Sequence, residues 1–311
     1  MAKGRIDTCC NCRAEEPLFA AEHAKRGAVM EKNQIVGSAG ADCFDGCPRI
    51  TSRANPTVIG VGALAEKKYR DREGRFAFEG IKLLRDALAS GIEIERVYVR
   101  EDAVRLAAGE APAELVTVVS APVYDKLSFE RSPEGVMCVA KRIDFLHKKV
   151  TIYNGGEKRG TVFLAASIRD PGNLGTIIRD ANALGIDELI LSDDCADLYN
   201  PRTVRASMGA LFRQRIVSCA DMAGSVRALG EQGYRVHAAA LHRDAIPLNR
   251  LRLSERDCFL VGNEGNGLPS ELIDAAGDCV VIPMKEGAES LNAAAAAAIL
   301  MWETGKGSWI R

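Results

Sequence analysis

The chain has 311 residues, 47% of them hydrophobic, enough for one large core or two domains of ordinary size. Lys and Arg number 41 against 42 Asp and Glu, a net charge of −1, which excludes a general electrostatic pull toward nucleic acid and leaves any RNA contact to local clusters. No run approaches the roughly 20 apolar residues a membrane helix needs, and the polar stretch from Met1 to Cys12 is unlike a secretory signal, so a cytoplasmic protein without membrane contact is expected.

Residues 1-50 lack periodicity and carry Gly37, Gly40, Gly46 and Pro48 among polar residues, the composition of a poorly ordered extension, with Met30 as an alternative start. Cys9-x-x-Cys12 and Cys43-x-x-x-Cys47 approach zinc-ligand spacing, but the long connection between them favours reduced, unliganded thiols. Cys138, Cys195, Cys219, Cys258 and Cys279 stand singly in apolar runs, as small hydrophobes do.

Residues 51-147 form a small α/β domain in this reading. A helical run from Thr57 to Tyr69 precedes a strand at Phe76-Ala77-Phe78 and a helix from Gly80 to Ala89 with Ile81, Leu84 and Leu88 on one face. Val97 to Val99, Leu115 to Val119 and Val136 to Ala140 supply further strands. From Arg49 to Arg75 seven basic residues face three acidic ones, which makes Arg53, Lys68, Arg70 and Arg72 candidates for phosphate contact. Arg205, with Arg202 and Arg213, forms a second basic set; a solvated helix face is the alternative for any of them.

The Asn154-Gly155-Gly156 region between Thr151 and Gly160 looks like a crossing between domains. In residues 158-311 the runs Thr161 to Ala166, Leu189 to Leu191, Val236 to Ala240, Cys258 to Val261 and Cys279 to Pro283 are almost continuously apolar, as buried parallel strands are. The alanines from Ala293 to Ala298 favour a helix that lets a neighbour approach closely.

Three clusters carry chemistry, each directly after an apolar strand, where open α/β sheets place ligands. The first runs from Asp170-Pro171-Gly172-Asn173 to Arg179, with Asp170 or Asn173 as a helix cap in the purely structural alternative. The second, Gly262-Asn263-Glu264-Gly265-Asn266-Gly267, brings bare backbone close to a ligand but is neither a dinucleotide fingerprint nor a phosphate loop. The third joins Val281-Ile282-Pro283-Met284 to Glu289-Ser290-Leu291-Asn292 at the start of the alanine helix, where Glu289 or Ser290 can cap and unpaired donors can hold an anion.

In this order the three clusters resemble the motifs of the SpoU/TrmH family of RNA ribose methyltransferases in the SPOUT superfamily. Ile50 to Pro56, Tyr69 to Gly74, Phe76 to Gly80 and Ser132 to Val136 resemble the substrate-binding domain that many members carry. The resemblance implies an α/β fold whose C-terminal SPOUT domain contains a trefoil knot, an exception to the rule against threaded chains. It also implies a homodimer, S-adenosylmethionine as cofactor, and a structured RNA substrate, ribosomal rather than transfer, methylated on a ribose 2′-hydroxyl. By the same resemblance Arg179 is catalytic, with Asn173, Glu264, Ser290 and Asn292 orienting the reacting groups. Gly262, Ile282 and Leu291 hold the cofactor, and no metal takes part. A guanidinium normally stays protonated, so activation of the hydroxyl together with an RNA phosphate is easier chemistry than a neutral arginine base.

Two other readings stand beside this one. A non-catalytic RNA-binding or ribosome-assembly factor of the same fold has no need of the intact polar set. A nucleotide-dependent oxidoreductase rests on Gly60-x-Gly62-x-x-Ala65, which lies in a helix-like run without a βαβ setting.

Overall fold

A computed structural model describes residues 44–143 and 160–309, apart from 264, 266, 288 and 289 and the side chains of 306–309. The N-terminal extension with Cys9, Cys12 and Cys43, the Gly-rich crossing, and Glu264 and Glu289 therefore lie outside the described residues.

The first half begins with a two-residue strand, β1 (Arg49–Ile50), and helix α1 (Pro56–Ala63). Asn55 caps α1 by accepting from the Thr57 amide, and Pro56 occupies the first turn, where its missing N–H costs nothing. Gly60 and Gly62 both sit inside α1, which removes any βαβ context for a dinucleotide site. The single helical run expected from Thr57 to Tyr69 is broken: α2 (Lys67–Glu73) starts anew after Leu64 and ends at Gly74, whose φ of 65° few other residues adopt. There follow β2 (Arg75–Glu79), α3 (Ile81–Ala89), β3 (Ile94–Arg100), α4 (Val104–Ala107), β4 (Val116–Val119), α5 (Ala121–Leu127) and β5 (Val136–Lys141). They build a sheet ordered β1-β4-β3-β5-β2, parallel at β1, β4 and β3, with β5 antiparallel to both neighbours.

The second half contains β6 (Val162–Ala165), α6 (Pro171–Ala183), β7 (Glu188–Ser192), α7 (Pro201–Ala206), β8 (Ile216–Cys219), α8 (Met222–Glu231), β9 (Arg235–Ala239), β10 (Ile246–Pro247), β11 (Asp257–Val261), α9 (Ser270–Ala276), β12 (Asp278–Val281) and α10 (Ala293–Trp309). Its seven strands run parallel in the order β10-β12-β9-β11-β6-β7-β8. All five strands expected here are present. The sequence reading missed β8 and the two-residue β10.

Parallel pairing puts the carboxyl ends of β6, β11, β9 and β12 side by side, so the loops that follow them share one edge of the sheet. α10 lies against α6 and β11. Its Ala293, Ala294, Ala297, Leu300 and Met301 are buried, and the small side chains bring the helix axis close to the sheet. The opposite stripe leaves Ile299 and Trp302 exposed.

The two sheets are not separated by a solvent gap. Phe76 on β2 packs on Tyr199 with ring centroids 4.7 Å apart, Phe78 meets Phe212 at 5.4 Å, and one apolar core runs from Phe76 and Leu84 through to Phe163 and Leu174.

Candidate active site

The turn between β6 and α6 is built by Asp170, which caps α6 by accepting from the Asn173 amide at 2.9 Å, with Pro171 in the first turn. Asp170 is thus the cap, and the Asn173 side chain is free of that duty. Within α6, Gly175 has no room for a side chain: a Cβ would lie 2.5 Å from the Thr203 carbonyl oxygen and 2.6 Å from the Ala206 Cβ, so α6 and α7 touch through backbone.

Before α6, Ser167 holds a φ of 57°, unusual for a residue with a side chain. The conformation is fixed from three directions. Its amide donates to Ser192 Oγ at 2.8 Å, its hydroxyl to Asp194 at 2.7 Å, and its carbonyl accepts from Asn263 Nδ2 at 2.9 Å. Burial alone would raise the Asp194 carboxyl, but the Ser192 and Ser167 hydroxyls and the Arg169 charge outweigh it and hold it below the usual carboxylate range.

The Asn263 bond ties the loop after β11 to the loop after β6. Asn263 and Gly267 also exchange backbone hydrogen bonds at 3.2 and 2.9 Å, closing the glycine loop on itself. Gly262 is required by that closure, since a Cβ there would fall 2.6 Å from the Gly267 oxygen and 2.8 Å from Leu268.

The third loop is anchored by Asn292. Its Oδ1 accepts from the Ala294 amide at 3.0 Å and so caps α10, the place the sequence reading gave to Glu289 or Ser290. Its Nδ2 donates to Asn173 Oδ1 at 3.0 Å. One amide group therefore joins the first and third clusters.

Between the ends of β9 and β12 and the start of α10 lies a cleft of about 470 Å3, its open mouth included. Ala239, Ala240, Val280, Val281, Ile282, Met284 and Leu291 give it apolar walls, Leu241 stands exposed at its edge, and Ser290 is the polar side chain in the lining. Of the residues expected from sequence, Ile282, Ser290 and Leu291 meet here. Asn173 and Asn292 adjoin through their hydrogen bond, and Gly262 belongs to the loop at the end of β11, next to β9. The contribution of β9 was missed, because a strand end ending in alanines gives no local signal.

Arg179 does not line the cleft. It is exposed on α6, beyond Asn173, and has no hydrogen bond or ion pair to any described residue. The basic residues fare differently. Arg53 is exposed, Lys68 pairs with Glu66 at 2.8 Å, and Arg72 pairs with Glu73 at 2.8 Å while lying 5.0 Å from the Tyr69 ring. Arg205, two-thirds exposed, pairs with Glu130. For Arg70 the expectation of RNA contact is corrected: it is 2% exposed, with four of its five N–H donors committed to the Leu64 and Ala65 carbonyls and to Asp197, so it is not open to a phosphate.

Among the described residues no group of His, Cys, Asp or Glu is placed to hold a metal, and Cys47, the one described member of the candidate zinc set, donates its thiol to the Ala113 carbonyl. No described helix is long and apolar enough to cross a membrane.

The sequence profile of the SpoU rRNA methylase family matches residues 160–302, and that of the MRM3-like substrate binding domain matches residues 55–138. The chain is 30% identical to the 23S rRNA (guanosine(2553)-2′-O)-methyltransferase RlmP of Bacillus subtilis, over 82% of this chain and 98% of that one. Among solved structures, an AdoMet-bound rRNA methyltransferase from Sinorhizobium meliloti superposes with a TM-score of 0.71 at 31% identity, covering 84% of this chain and 98% of that one. An RNA 2′-O ribose methyltransferase gives 0.67 at 30% identity over 82% and 97%. With its three loops gathered at one sheet edge and its relatives aligned over nearly their whole length, the chain belongs to the SpoU rRNA methylase family.

Proposed function

We propose that this protein transfers the methyl group of S-adenosylmethionine to a ribose 2′-hydroxyl of structured RNA, ribosomal RNA in preference to transfer RNA. The observation that carries the reading is the convergence of the three loops: Asn292 bonded to Asn173, Asn263 bonded to Ser167, and an apolar cleft beside them. The cleft suits this cofactor. Its aliphatic walls fit an adenine face, and the backbone of strand ends offers donors and acceptors without the charge a phosphate-rich ligand demands. Bound there, the cofactor supplies a methyl group already activated by a positive sulfur, so no metal is needed.

In this assignment Gly262, Ile282 and Leu291 hold the cofactor, and Asn173, Glu264, Ser290 and Asn292 orient the ribose and its phosphate. The ribose oxygen would take the methyl group of a cofactor bound there, which would leave as the neutral thioether, while the hydroxyl would pass its proton to the RNA phosphate or to water held beside it. Arg179 supports that loss of a proton by drawing an RNA phosphate to the hydroxyl; its exposed guanidinium, which makes no hydrogen bond or ion pair to a described residue, suits it to an anion brought by the substrate. Arg53, Lys68, Arg72 and Arg205 contribute phosphate contacts along the way.

The same reading includes a homodimer with its sites near the interface, supported by the exposed Ile299 and Trp302 on α10, the helix that helps wall the cleft. It includes a knot, supported by a strand order in which β11 inserts between β9 and β6 and β12 then inserts between β9 and β10. A cytoplasmic location follows from a ribosomal substrate rather than from any feature of the fold. The test is a mass-spectrometric map of ribose methylation in total RNA from cells with and without the gene. Loss of a discrete 2′-O-methyl site is the expected result, and an unchanged map contradicts the proposal.

A further inference from the structure

We propose that Asp197 and Tyr199, in the segment between β7 and α7, are positioning residues that hold the first domain in fixed register on the helix carrying Asn173 and Arg179. RNA gripped by the first domain is then presented to the cleft at one distance and angle. The inference rests on the methyl-transfer reading above.

Arg70 reaches out of α2 and spends its guanidinium in two directions. Nη1 donates to the Leu64 and Ala65 carbonyls at 2.6 and 2.7 Å, and Nε and Nη2 donate to Asp197 Oδ2 at 3.0 and 2.5 Å. The arginine side chain is 2% exposed and the aspartate 12%, so the pair sits in a low-dielectric seam where its geometry is directional. Asp197 also organises its own segment: Oδ1 accepts from the Tyr199 amide at 3.0 Å and its carbonyl accepts from Thr203 Oγ1 at 3.0 Å. Tyr199 continues the seam. Its hydroxyl accepts from the Ile143 amide at 3.0 Å and donates to the Ile143 carbonyl at 3.3 Å, just past the last strand of the first domain, while its ring packs on Phe76 at 4.7 Å and lies 4.9 Å from the Arg142 guanidinium.

From this segment the packing runs on without a gap. α7 rests on α6 at Gly175, where backbone meets backbone, and α6 begins at the turn whose Asn173 is bonded to Asn292. Every link is a hydrogen bond or a tight contact, so a shift of the first domain is transmitted to the reacting groups. Stability alone is served by apolar contact here; a buried ion pair adds registry.

The test compares full-length wild type, Asp197→Asn and the milder Tyr199→Phe, using unmodified ribosomal RNA transcripts and tritiated S-adenosylmethionine well below each variant's melting temperature. A positioning role predicts that kcat falls about tenfold or more in both variants, while KM for RNA and cofactor affinity stay within about twofold. Solution X-ray scattering is expected to show a broader spread of domain arrangements in Asp197→Asn than in wild type. Unchanged kcat in both folded variants overturns the inference. A wild type that methylates no RNA sinks the functional reading instead, and scattering curves identical for wild type and variants then overturn the fixed register as well.

Discussion

Asn292 serves two partners with one amide: its oxygen caps α10 through the Ala294 amide, and its nitrogen donates to Asn173 Oδ1 3.0 Å away at the start of α6. Because the cap fixes the oxygen, the nitrogen is fixed too, and the two helix starts are held in one orientation.

Asn292→Asp separates the two duties. The carboxylate still caps α10, but it turns an acceptor toward Asn173 Oδ1. Methyl transfer is expected to fall by roughly 10- to 100-fold with stability changed by less than about 1 kcal/mol, whereas Asn292→Ala loses the cap as well and about 1 kcal/mol more. Single-turnover rates and thermal melts of both variants decide this; equal rates in Asp and wild type contradict it.

Gly262→Ala places a methyl group into the Gly267 carbonyl. Relief of such an overlap costs about 1–3 kcal/mol, and because the strain falls on the loop assigned to the cofactor, affinity for S-adenosylmethionine is expected to drop about tenfold or more by calorimetry. Undiminished affinity removes Gly262 from the cofactor site.

Gly175→Ala meets the Thr203 oxygen at 2.5 Å and the Ala206 methyl at 2.6 Å. Neither can withdraw without separating α6 from α7, so a loss of about 1–3 kcal/mol of stability is expected, read as a lower denaturant midpoint at unchanged slope.

Acid stability is expected to depend on Asp257. Burial opposes its charge, yet hydrogen bonds from Arg235, the Ser254 amide and His237 hold the carboxyl well below its ordinary value of 3.8. The unfolded chain therefore binds the proton first as pH falls. Asp257 contributes stability that is fully present above the ordinary carboxylate range and is lost as pH drops below 3.8 toward the folded value. Melting curves of wild type and Asp257→Asn between neutral pH and pH 3 test the sign: the difference between them is expected to shrink on acidification.

The three candidate loops were legible as loops because each follows an apolar strand and is punctuated by Gly, Pro or Asn, a local signal. What escaped the sequence is non-local. The burial of Arg70 is decided by Asp197, 127 residues away, so a side chain that reads as a phosphate contact is an internal tie. β8 was lost because Ser218 is exposed and Cys219 only partly covered, leaving too short an apolar run. The wall formed by Ala239 and Ala240 arises from strand order, which neighbouring residues do not encode. That Asn292 rather than Ser290 caps α10 is a matter of two residues, the scale on which helix starts are least fixed by pattern.

The central claim is that Arg179 and the apolar cleft act together on a ribose hydroxyl. It is tested most directly by incubating wild type and Arg179→Ala with S-adenosylmethionine and unmodified ribosomal RNA, then digesting the RNA to nucleosides for mass spectrometry. The account predicts a 2′-O-methylnucleoside from wild type and at least about a 100-fold loss in the variant, with cofactor affinity within twofold. Methyl groups found on a base, or equal yields from the two proteins, contradict it.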